Sequence, residues 1–402
     1  MLFEPARHEP LQDIAWDPDR VRKAIAGIVA GTEAGMEADL TWPWHPNDND
    51  KNPDEVRHKS VYLGTAGVLW TLWYLQREGA MSLRSDPAAI VDRVHPAYLA
   101  QPDTEEVVPS LFLGEVGILL AQWIMTGSAE AADRMYASIE RNIPNPVNEA
   151  LWGAPGTMLA ALHMFRHTGE ARWRDLYLAN VEQVWNQWKP DGRAGCMLWT
   201  QDLYGRIVQY VGAGHGTVGN VYPLLRGADL LSEDRRRELF ERCAKTVATL
   251  AMIEDDCANW PPQVVPQGAP GKVLVQWCHG SPGIVTALAD FPKGASADMD
   301  RLLVQAGNLV WKAGPMTKGS GLCHGTAGNG YAFLKLFERT GDAMWLDRAR
   351  AFAMHAIAQS ERAREQYGRL RYSLWTGDPG VAVYLWQCLG APCGMPMLDV
   401  VG

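Results

Sequence analysis

Segments that are apolar on nearly every side alternate along the chain with segments that are apolar on one side only. VLWTLWYL, ILLAQWIM, TMLAALHMF and YAFLKLF belong to the first kind. Their length and their Ala, Leu and Met content suit helices that are buried on most faces. The stretches 170–188 and 345–364 belong to the second kind, with charged residues along one face. This alternation predicts inner helices shielded by an outer layer of amphipathic helices.

A Gly-x-x-Gly motif opens an apolar helical segment at seven places in the chain. The copies begin at Gly64, Gly114, Gly153, Gly216, Gly280, Gly325 and Gly377. One copy would carry no information, but seven copies at predicted helix starts indicate an internal repeat. The intervals between copies, roughly 40–65 residues, accommodate two helices and a loop. Glycine at these points allows a tight bend and a close approach of neighbouring helices.

We therefore predict an all-α fold, an (α/α) toroid built from seven helical hairpin repeats. A single domain covers 1–402, with the repeats at about 60–389 and an N-terminal extension at 1–59. In such a ring the starts of the inner helices converge at one end, where their positive dipole ends favour an anion or a nucleophile. Strand patterns are scarce, although the stretch 264–276 is compatible with a short β-hairpin.

Charge and cysteine usage exclude several classes of function. The formal net charge is −9 and the acidic residues are dispersed, which argues against a nucleic-acid partner. The longest apolar stretch, 61–75, is too short to span a bilayer, so we expect no integral membrane segment. The seven cysteines are odd in number, and the first residues are polar rather than signal-like. These features favour a reduced, cytoplasmic protein.

Cysteine and histidine residues precede three of the Gly-x-x-Gly motifs. Cys278-His279 and Cys323-His324 stand directly before two of them, and His215 stands at the same point before a third. Equivalent repeat positions should meet at one end of the ring. Two thiolates and an imidazole suit Zn²⁺, and three protein ligands leave the open position that catalytic zinc sites keep. His279 is either a fourth ligand or a neighbour of the metal.

Several sequence blocks resemble the lanthionine synthetase C-like (LanC-like) family. The blocks are SVYLGTAGV, GAGHGTVGNVY, QWCHGSPGI, GLCHGTAGNGYAFLKLF and YSLWTGDPG. The resemblance covers about 60–389, and its most specific parts are the WCHG and GLCHG blocks. The chain looks closer to the stand-alone branch found in eukaryotes than to the bacterial lantibiotic cyclases. The family fold is a sevenfold α/α toroid, which agrees with the repeats.

The resemblance implies zinc-dependent addition of a thiol to dehydroalanine or dehydrobutyrine in a peptide or protein, which forms a thioether. The thiol is a cysteine of the same peptide in the cyclases and glutathione in the stand-alone branch. The family's zinc ligands fall on Cys278, Cys323 and His324, and its catalytic histidine falls on His215. A family carboxylate falls on Glu149, where a glutamate would also suit the start of a helix.

The same resemblance suggests where the thiol binds. A basic residue that contacts glutathione in the stand-alone branch falls on Lys318, which could equally be a solvated loop lysine. The branch's C-terminal arginine contact has two nearby candidates, Arg369 and Arg371. We include His279 among the substrate-binding candidates because it adjoins Cys278.

Two other classes of function remain open from the sequence. The seventeen tryptophans fit helix packing, but they also fit an aromatic-lined sugar site. An α/α-barrel glycosidase or epimerase-like enzyme is therefore the first alternative, although such enzymes use paired carboxylates or histidines rather than two cysteines. The second alternative is a non-catalytic, zinc-containing protein that binds a peptide or another ligand.

Overall fold

The computed structural model describes residues 1–48, 57–265 and 272–402. Within these ranges, seven helices that begin at the Gly-x-x-Gly motifs form an inner layer. They are α2 (Thr65–Arg77), α5 (Glu115–Thr126), α7 (Ala154–Thr168), α9 (Thr217–Arg226), α11 (Ser281–Leu288), α13 (Thr326–Thr340) and α15 (Asp378–Cys388). The outer layer consists of α1 (Pro18–Ala34), the short pair α3 (Pro87–Val91) and α4 (Val94–Ala100), α6 (Ala129–Asn142), α8 (Ala171–Gln187), α10 (Glu233–Leu250), α12 (Ala297–Ala313) and α14 (Ala343–Tyr367).

The inner helices form a closed ring. Each inner helix contacts the next along the chain, and α15 contacts α2. Helix α1 packs on α15 and α14, so a helix from the N-terminal 59 residues covers the seventh inner helix. This arrangement confirms the prediction of an α/α toroid with seven helical hairpins.

The two layers differ in burial as their sequence patterns predict. Eleven consecutive residues of α13, from Thr326 to Leu336, are buried. The outer helix α6 instead buries one stripe that includes Ala131, Met135 and Ile139, and its other residues face away from the core. Burial on all sides is expected for a helix of the inner layer, and a single apolar stripe is expected for a helix of the outer layer.

The second glycine of each motif lies against the carbonyl oxygen of the residue six positions earlier. A Cβ atom at Gly328 would lie 1.6 Å from the Leu322 carbonyl oxygen, and one at Gly117 would lie 1.9 Å from that of Leu111. The other five second glycines have the same close contact, at 1.9–2.3 Å. No side chain fits at these positions, which explains why the motif repeats.

The same loops cap the inner helices with backbone groups. The Thr326 N–H donates to the Gly319 carbonyl at 2.9 Å, and the Thr217 N–H donates to that of Tyr210 at 3.0 Å. Inner helices consequently begin without side-chain caps, whereas outer helices such as α6 begin with a capping Ser or Asp. Because these bonds satisfy the free N–H groups of the first turn, the residues just before each motif are held in a fixed position.

Three short β-hairpins lie in the connections that lead into α9 and α11. Strand β1 (Lys189–Asp191) pairs with β2 (Cys196–Leu198), β3 (Gln201–Leu203) with β4 (Arg206–Val208), and β5 (Met252–Glu254) with β6 (Cys257–Asn259). The hairpin suggested within 264–276 falls partly on 266–271, which lie outside the described residues. Its described positions form no strand.

The opposite end of the ring contacts the last residues of the chain. The Trp70 indole donates to the Val401 carbonyl at 2.7 Å, and His163 bonds to that of Leu398 at 2.8 Å. Lys335 of α13 pairs with Asp399 at 3.2 Å, and both side chains are almost fully buried. Across the part of the chain described here, we find no helix with the length and apolar content that a membrane crossing requires.

The close contact at the second glycine predicts a large loss of stability when it acquires a side chain. Gly328→Ala should lower the free energy of unfolding by at least about 3 kcal/mol, since neither the backbone carbonyl nor the buried helix can move freely. Gly341→Ala is the matched control, because Gly341 has a φ of +73° but nothing within 4 Å of a Cβ. That change should cost only about 1 kcal/mol. Equal losses in urea denaturation would contradict the steric explanation.

Candidate active site

Side chains from three neighbouring repeats meet at the end of the ring where the inner helices begin. His215, His279 and His324 each stand directly before the first glycine of a motif, and Cys278 and Cys323 stand one residue earlier. The helices that follow, α9, α11 and α13, are neighbours in the ring. The rings of His215 and His279 are 5.6 Å apart, and the backbone N–H of Cys278 donates to the Cys323 carbonyl at 3.4 Å. The repeat register thus placed these residues correctly.

The two cysteines form a buried pair that favours one thiolate. The hydrogen bond from the Cys323 thiol lowers the pKa of Cys278 to about 7, with a contribution from the charge of His215. Burial raises the pKa of Cys323 well above its usual value. The Gln276 amide donates to the Cys278 sulfur at 2.9 Å, and the Tyr62 hydroxyl acts to lower the pKa of Cys323. These donors stabilise negative charge on sulfur without exposing it to solvent.

Glycine residues allow the loop before α9 to lie directly on Cys278. A Cβ atom on Gly214 would lie 2.7 Å from the Cys278 Cβ, and one on Gly212 would lie 2.2 Å from the Cys278 carbonyl oxygen. The Gly214 N–H donates to that same carbonyl at 3.1 Å. The glycine next to His215 is therefore what brings this histidine close to the cysteine pair.

His215 is paired with Glu149, which comes from the loop before α7. The His215 Nδ1 lies 2.9 Å from a carboxylate oxygen of Glu149, whose side chain is fully buried. Glu149 also accepts hydrogen bonds from the backbone N–H groups of Leu151 and Trp152, at 3.1 and 2.6 Å. Glu149 therefore bonds within its own loop, ahead of the helix, and is paired with His215; its part in catalysis stays a prediction.

The carboxylate sets the proton affinity of His215. Burial by itself would lower the pKa of this histidine, but the hydrogen bond and the charge of Glu149 raise it above 6.5. With Nδ1 held by Glu149, the other ring nitrogen, Nε2, is the one left to meet a substrate. His215 therefore combines a raised proton affinity with a fixed orientation, two properties that suit a general acid.

The other two histidines are held neutral. Burial lowers the pKa of His279 to about 3, and the charge of His215 adds to the effect. Burial also lowers the pKa of His324 to about 3, assisted by the positive charges of Lys318 and Arg371. The Nδ1 atom of His279 is buried without a hydrogen-bond partner, and no described residue bonds to the ring of His324. Neutral imidazoles with free lone pairs are suited to binding a metal.

The donor atoms of this cluster are of the kinds that bind zinc, although three of them do not lie at the spacing of a metal site. Cys278 and Cys323 are in contact, and thiolate and neutral imidazole are the donors that zinc prefers. Among the described residues, however, no three His, Cys, Asp or Glu side chains have the spacing of a metal site. The structure brings together the two predicted sulfur ligands, and the assignment of His324 as third ligand stays a prediction.

Positive charge borders the cluster on one side. Lys318 is exposed, and its charge acts on Cys278, Cys323 and His324. It forms no ion pair with any described residue. Arg369, whose charge acts on His45 and Tyr372, likewise has no ion-pair partner among the described residues. Arg371 differs, because its Nε lies 2.9 Å from both carboxylate oxygens of Asp48. Lys318 and Arg369 are therefore available to an anionic ligand, whereas the Arg371 guanidinium already has a carboxylate partner.

Aromatic rings occupy the repeat position of the cysteines in three other repeats, and a fourth ring, that of Trp277, directly precedes Cys278. Trp277 and Trp375 are 4.5 Å apart, and Phe112 and Tyr62 lie 5.0 and 6.0 Å from Trp375. All four side chains are buried. These tryptophans pack between the helices, and Tyr62 also reaches Cys323.

Sequence reasoning missed two groups that contact the cysteine pair. Gln276 stands four residues before its motif, the position that Glu149 holds in the third repeat, and Tyr62 stands at the repeat position of the cysteines. The repeat register could have identified both. Trp152 stands directly before its motif, at the repeat position of His215, so the register could have identified it too. Tyr204, whose ring lies beside those of His215 and Trp152, gave no such signal because it belongs to a hairpin outside the repeat pattern.

Comparison with known proteins places the chain in a family. The sequence profile described as Lanthionine synthetase C-like protein matches residues 55–391. Glutathione S-transferase LANCL1 of Danio rerio is 37% identical over 190 residues, which cover 45% of this chain and 43% of that protein. LanC-like protein GCL1 of Arabidopsis thaliana is 32% identical over 258 residues, 61% of this chain and 55% of that protein. The matched part thus spans about half the length of these relatives.

A solved structure shows the same fold over nearly the whole chain. Nisin cyclase superposes with a TM-score of 0.66, covers 93% of this chain and 95% of its own, and is 13% identical. At that identity the likeness concerns the fold alone. The profile, in contrast, covers most of the chain and includes every residue of the cluster described above. The chain belongs to the lanthionine synthetase C-like family.

Proposed function

We propose that this protein catalyses the zinc-dependent addition of a thiol to dehydroalanine or dehydrobutyrine in a peptide or protein, with a thioether as product. The observation that carries the proposal is the buried contact between Cys278 and Cys323 beside the His215–Glu149 pair. The name of one sequence relative, a glutathione S-transferase, supports the same chemistry.

Cys278, Cys323 and His324 are the residues that would hold the metal. A zinc ion bound there would lower the pKa of a thiol substrate and keep its sulfur nucleophilic at neutral pH. The protein contributes a buried, hydrogen-bonded sulfur pair, and Gln276 and Tyr62 orient its two members. Contacts of this kind, one shell beyond the ligands, fix the direction of the ligand lone pairs.

The addition requires a proton as well as a nucleophile. The thiolate sulfur forms a bond to Cβ of the dehydroamino acid, and the electron pair of the C=C bond moves toward the carbonyl to give an enolate. A proton delivered to Cα then completes the saturated thioether. His215 supplies this proton from Nε2, because Glu149 raises the pKa of the ring and orients it. A general acid placed in this way typically accelerates a reaction by about 10²–10⁴-fold.

The charges around the site favour glutathione as the thiol. Glutathione carries two carboxylates, and Lys318 and Arg369 are cations without an ion-pair partner among the described residues. Lys318 is also close enough to influence both cysteines. Charge-assisted hydrogen bonds to carboxylates are stronger than neutral ones, so these side chains would hold the tripeptide with its sulfur toward the cluster.

Metal content tests the ligand set. The purified protein should contain about one zinc ion per chain, and Cys323→Ala should lose most of it because one of three ligands is gone. Cys243→Ala is the matched control, since Cys243 is equally buried but lies in the outer helix α10. Elemental analysis by inductively coupled plasma mass spectrometry measures both variants. Stoichiometric zinc in Cys323→Ala would show that the ligand set is wrong.

Kinetics of His215→Ala separate proton donation from metal binding. This variant should keep its zinc and its helical circular dichroism, yet lose roughly 10²-fold or more in the rate of addition. Zinc content and turnover should be measured on the same preparation. Parallel loss of metal and activity would instead make His215 a zinc ligand, and normal turnover would remove it from the mechanism.

The charge of Glu149 predicts a shift in the pH dependence of the reaction. In Glu149→Gln, burial is left as the dominant influence, so the pKa of His215 should fall below 6.5. A protonated His215 is the active form, and therefore the alkaline limb of the kcat profile should move to lower pH. Glu115→Gln removes the carboxylate of another buried Glu–His pair, with His95 at 3.1 Å, and should leave the profile unchanged. Identical profiles for all three proteins would contradict the role of Glu149.

A further inference from the structure

The turn between β3 and β4 holds a tyrosine in an unusual backbone conformation. Tyr204 and Gly205 are its two central residues, with φ values of +53° and +70°. A two-residue hairpin turn with positive φ at both positions is usually built from Asn, Asp or Gly, because bulky side chains adopt this conformation rarely. Strained backbone conformations of this kind persist where the surrounding structure holds them, and they cluster at functional sites.

Another two-residue hairpin turn, in the connection between α10 and α11, has the expected residue. Strands β5 and β6 are joined by Asp255 and Asp256, and Asp255 has a φ of +56°. Aspartate tolerates this conformation because its short side chain bonds to nearby backbone. That turn lies beside the outer helix α12, where Gln305 reaches the Asp255 carbonyl. The chain thus has a bulky residue at the turn that borders His215 and a favourable one at the turn that does not.

Tyr204 stands beside the proposed proton donor and is held there by a tryptophan. Its ring is 6.2 Å from that of His215 and 6.3 Å from that of Trp152, nearly perpendicular to both. The Trp152 indole N–H donates to the Tyr204 hydroxyl oxygen at 3.0 Å. Despite these contacts, 66% of the tyrosine is exposed, so the side chain forms part of the surface that an incoming substrate meets.

The hydroxyl of Tyr204 has a proton to donate. A tyrosine hydroxyl can accept and donate at the same time. Trp152 uses the accepting side, and no described residue accepts a hydrogen bond from the O–H. The Tyr204 O–H is therefore an oriented donor without an acceptor, next to the proposed proton donor His215. Such a group can stabilise, by a hydrogen bond, a carbonyl oxygen that gains negative charge during the reaction.

We propose that Tyr204 binds the acceptor, packing its ring against the peptide and donating its O–H to the carbonyl oxygen of the dehydroamino acid. This inference rests on the proposed function. It divides the site in two, with the thiol on the side of Lys318 and Arg369 and the peptide on the side of Tyr204 and Trp152. As the enolate forms, the hydrogen bond from Tyr204 stabilises the oxygen while His215 protonates Cα.

Two variants separate the hydroxyl from the ring. Tyr204→Asn places a residue suited to the turn and removes the aromatic contact, so the dissociation constant of the peptide should rise about tenfold, with no fall in the thermal midpoint. Tyr204→Phe keeps the ring, so the peptide affinity should stay within about twofold while kcat falls about tenfold. The KM for glutathione should not change in either variant. Asp255→Asn, at the turn between β5 and β6, is the control and should match the wild type.

The probe is a short fluorescein-labelled peptide with one central dehydroalanine. Fluorescence anisotropy measures its binding without thiol, and mass spectrometry measures turnover with glutathione. Wild-type peptide affinity and kcat in both Tyr204 variants would overturn the inference and leave the proposed function intact. A lowered thermal midpoint with unchanged affinity in Tyr204→Asn would also overturn it, because the role would then be structural. If the wild-type protein binds the peptide but shows no turnover, and the Tyr204 variants bind it more weakly, the contact is supported and the proposed function is overturned. If the wild-type protein neither binds the peptide nor shows turnover, both are overturned.

Discussion

In every repeat, the second glycine of the motif lies against the carbonyl oxygen six residues before it, with no room for a side chain. This contact folds the incoming loop onto the first turn of an inner helix, where the loop supplies carbonyl acceptors for free N–H groups. Seven such starts point to the same end of a closed ring. The residues between the carbonyl and the glycine are consequently held at that end, and the chemistry of the protein depends on which side chains occupy those few positions.

The repeats diverge at these positions while the backbone contact is maintained. Repeats five and six place Cys278 and Cys323 in contact, and repeat four contributes His215 after a glycine that leaves space for the sulfur pair. Repeat three contributes Glu149, which is buried completely and is tolerated because His215 and two backbone N–H groups satisfy it. A buried carboxylate without such partners would be strongly destabilising, so the pairing with His215 stabilises Glu149 and also raises the pKa of the histidine.

The repeat register explains how much of this could be predicted. The helices, their closure into a toroid and the meeting of Cys278, Cys323 and His215 follow from periodicity and motif position, which are local properties of the sequence. The ion pair of Arg371 with Asp48 and the packing of α1 on α15 join residues more than 300 positions apart. No local sequence pattern predicts such contacts. The position of Tyr204 was equally unpredictable, because a turn of this type favours other residues and its conformation depends on its surroundings.

The stereochemistry of the product tests the central claim most directly. If His215 delivers the proton from a fixed position, it reaches one face of the enolate, whereas free solution protonates both faces. A dehydroalanine peptide incubated with glutathione and the protein should give predominantly one diastereomer of the thioether, faster than the reaction without protein, as resolved by chromatography and mass spectrometry. An equal mixture of diastereomers formed at the rate of the protein-free reaction would contradict the account.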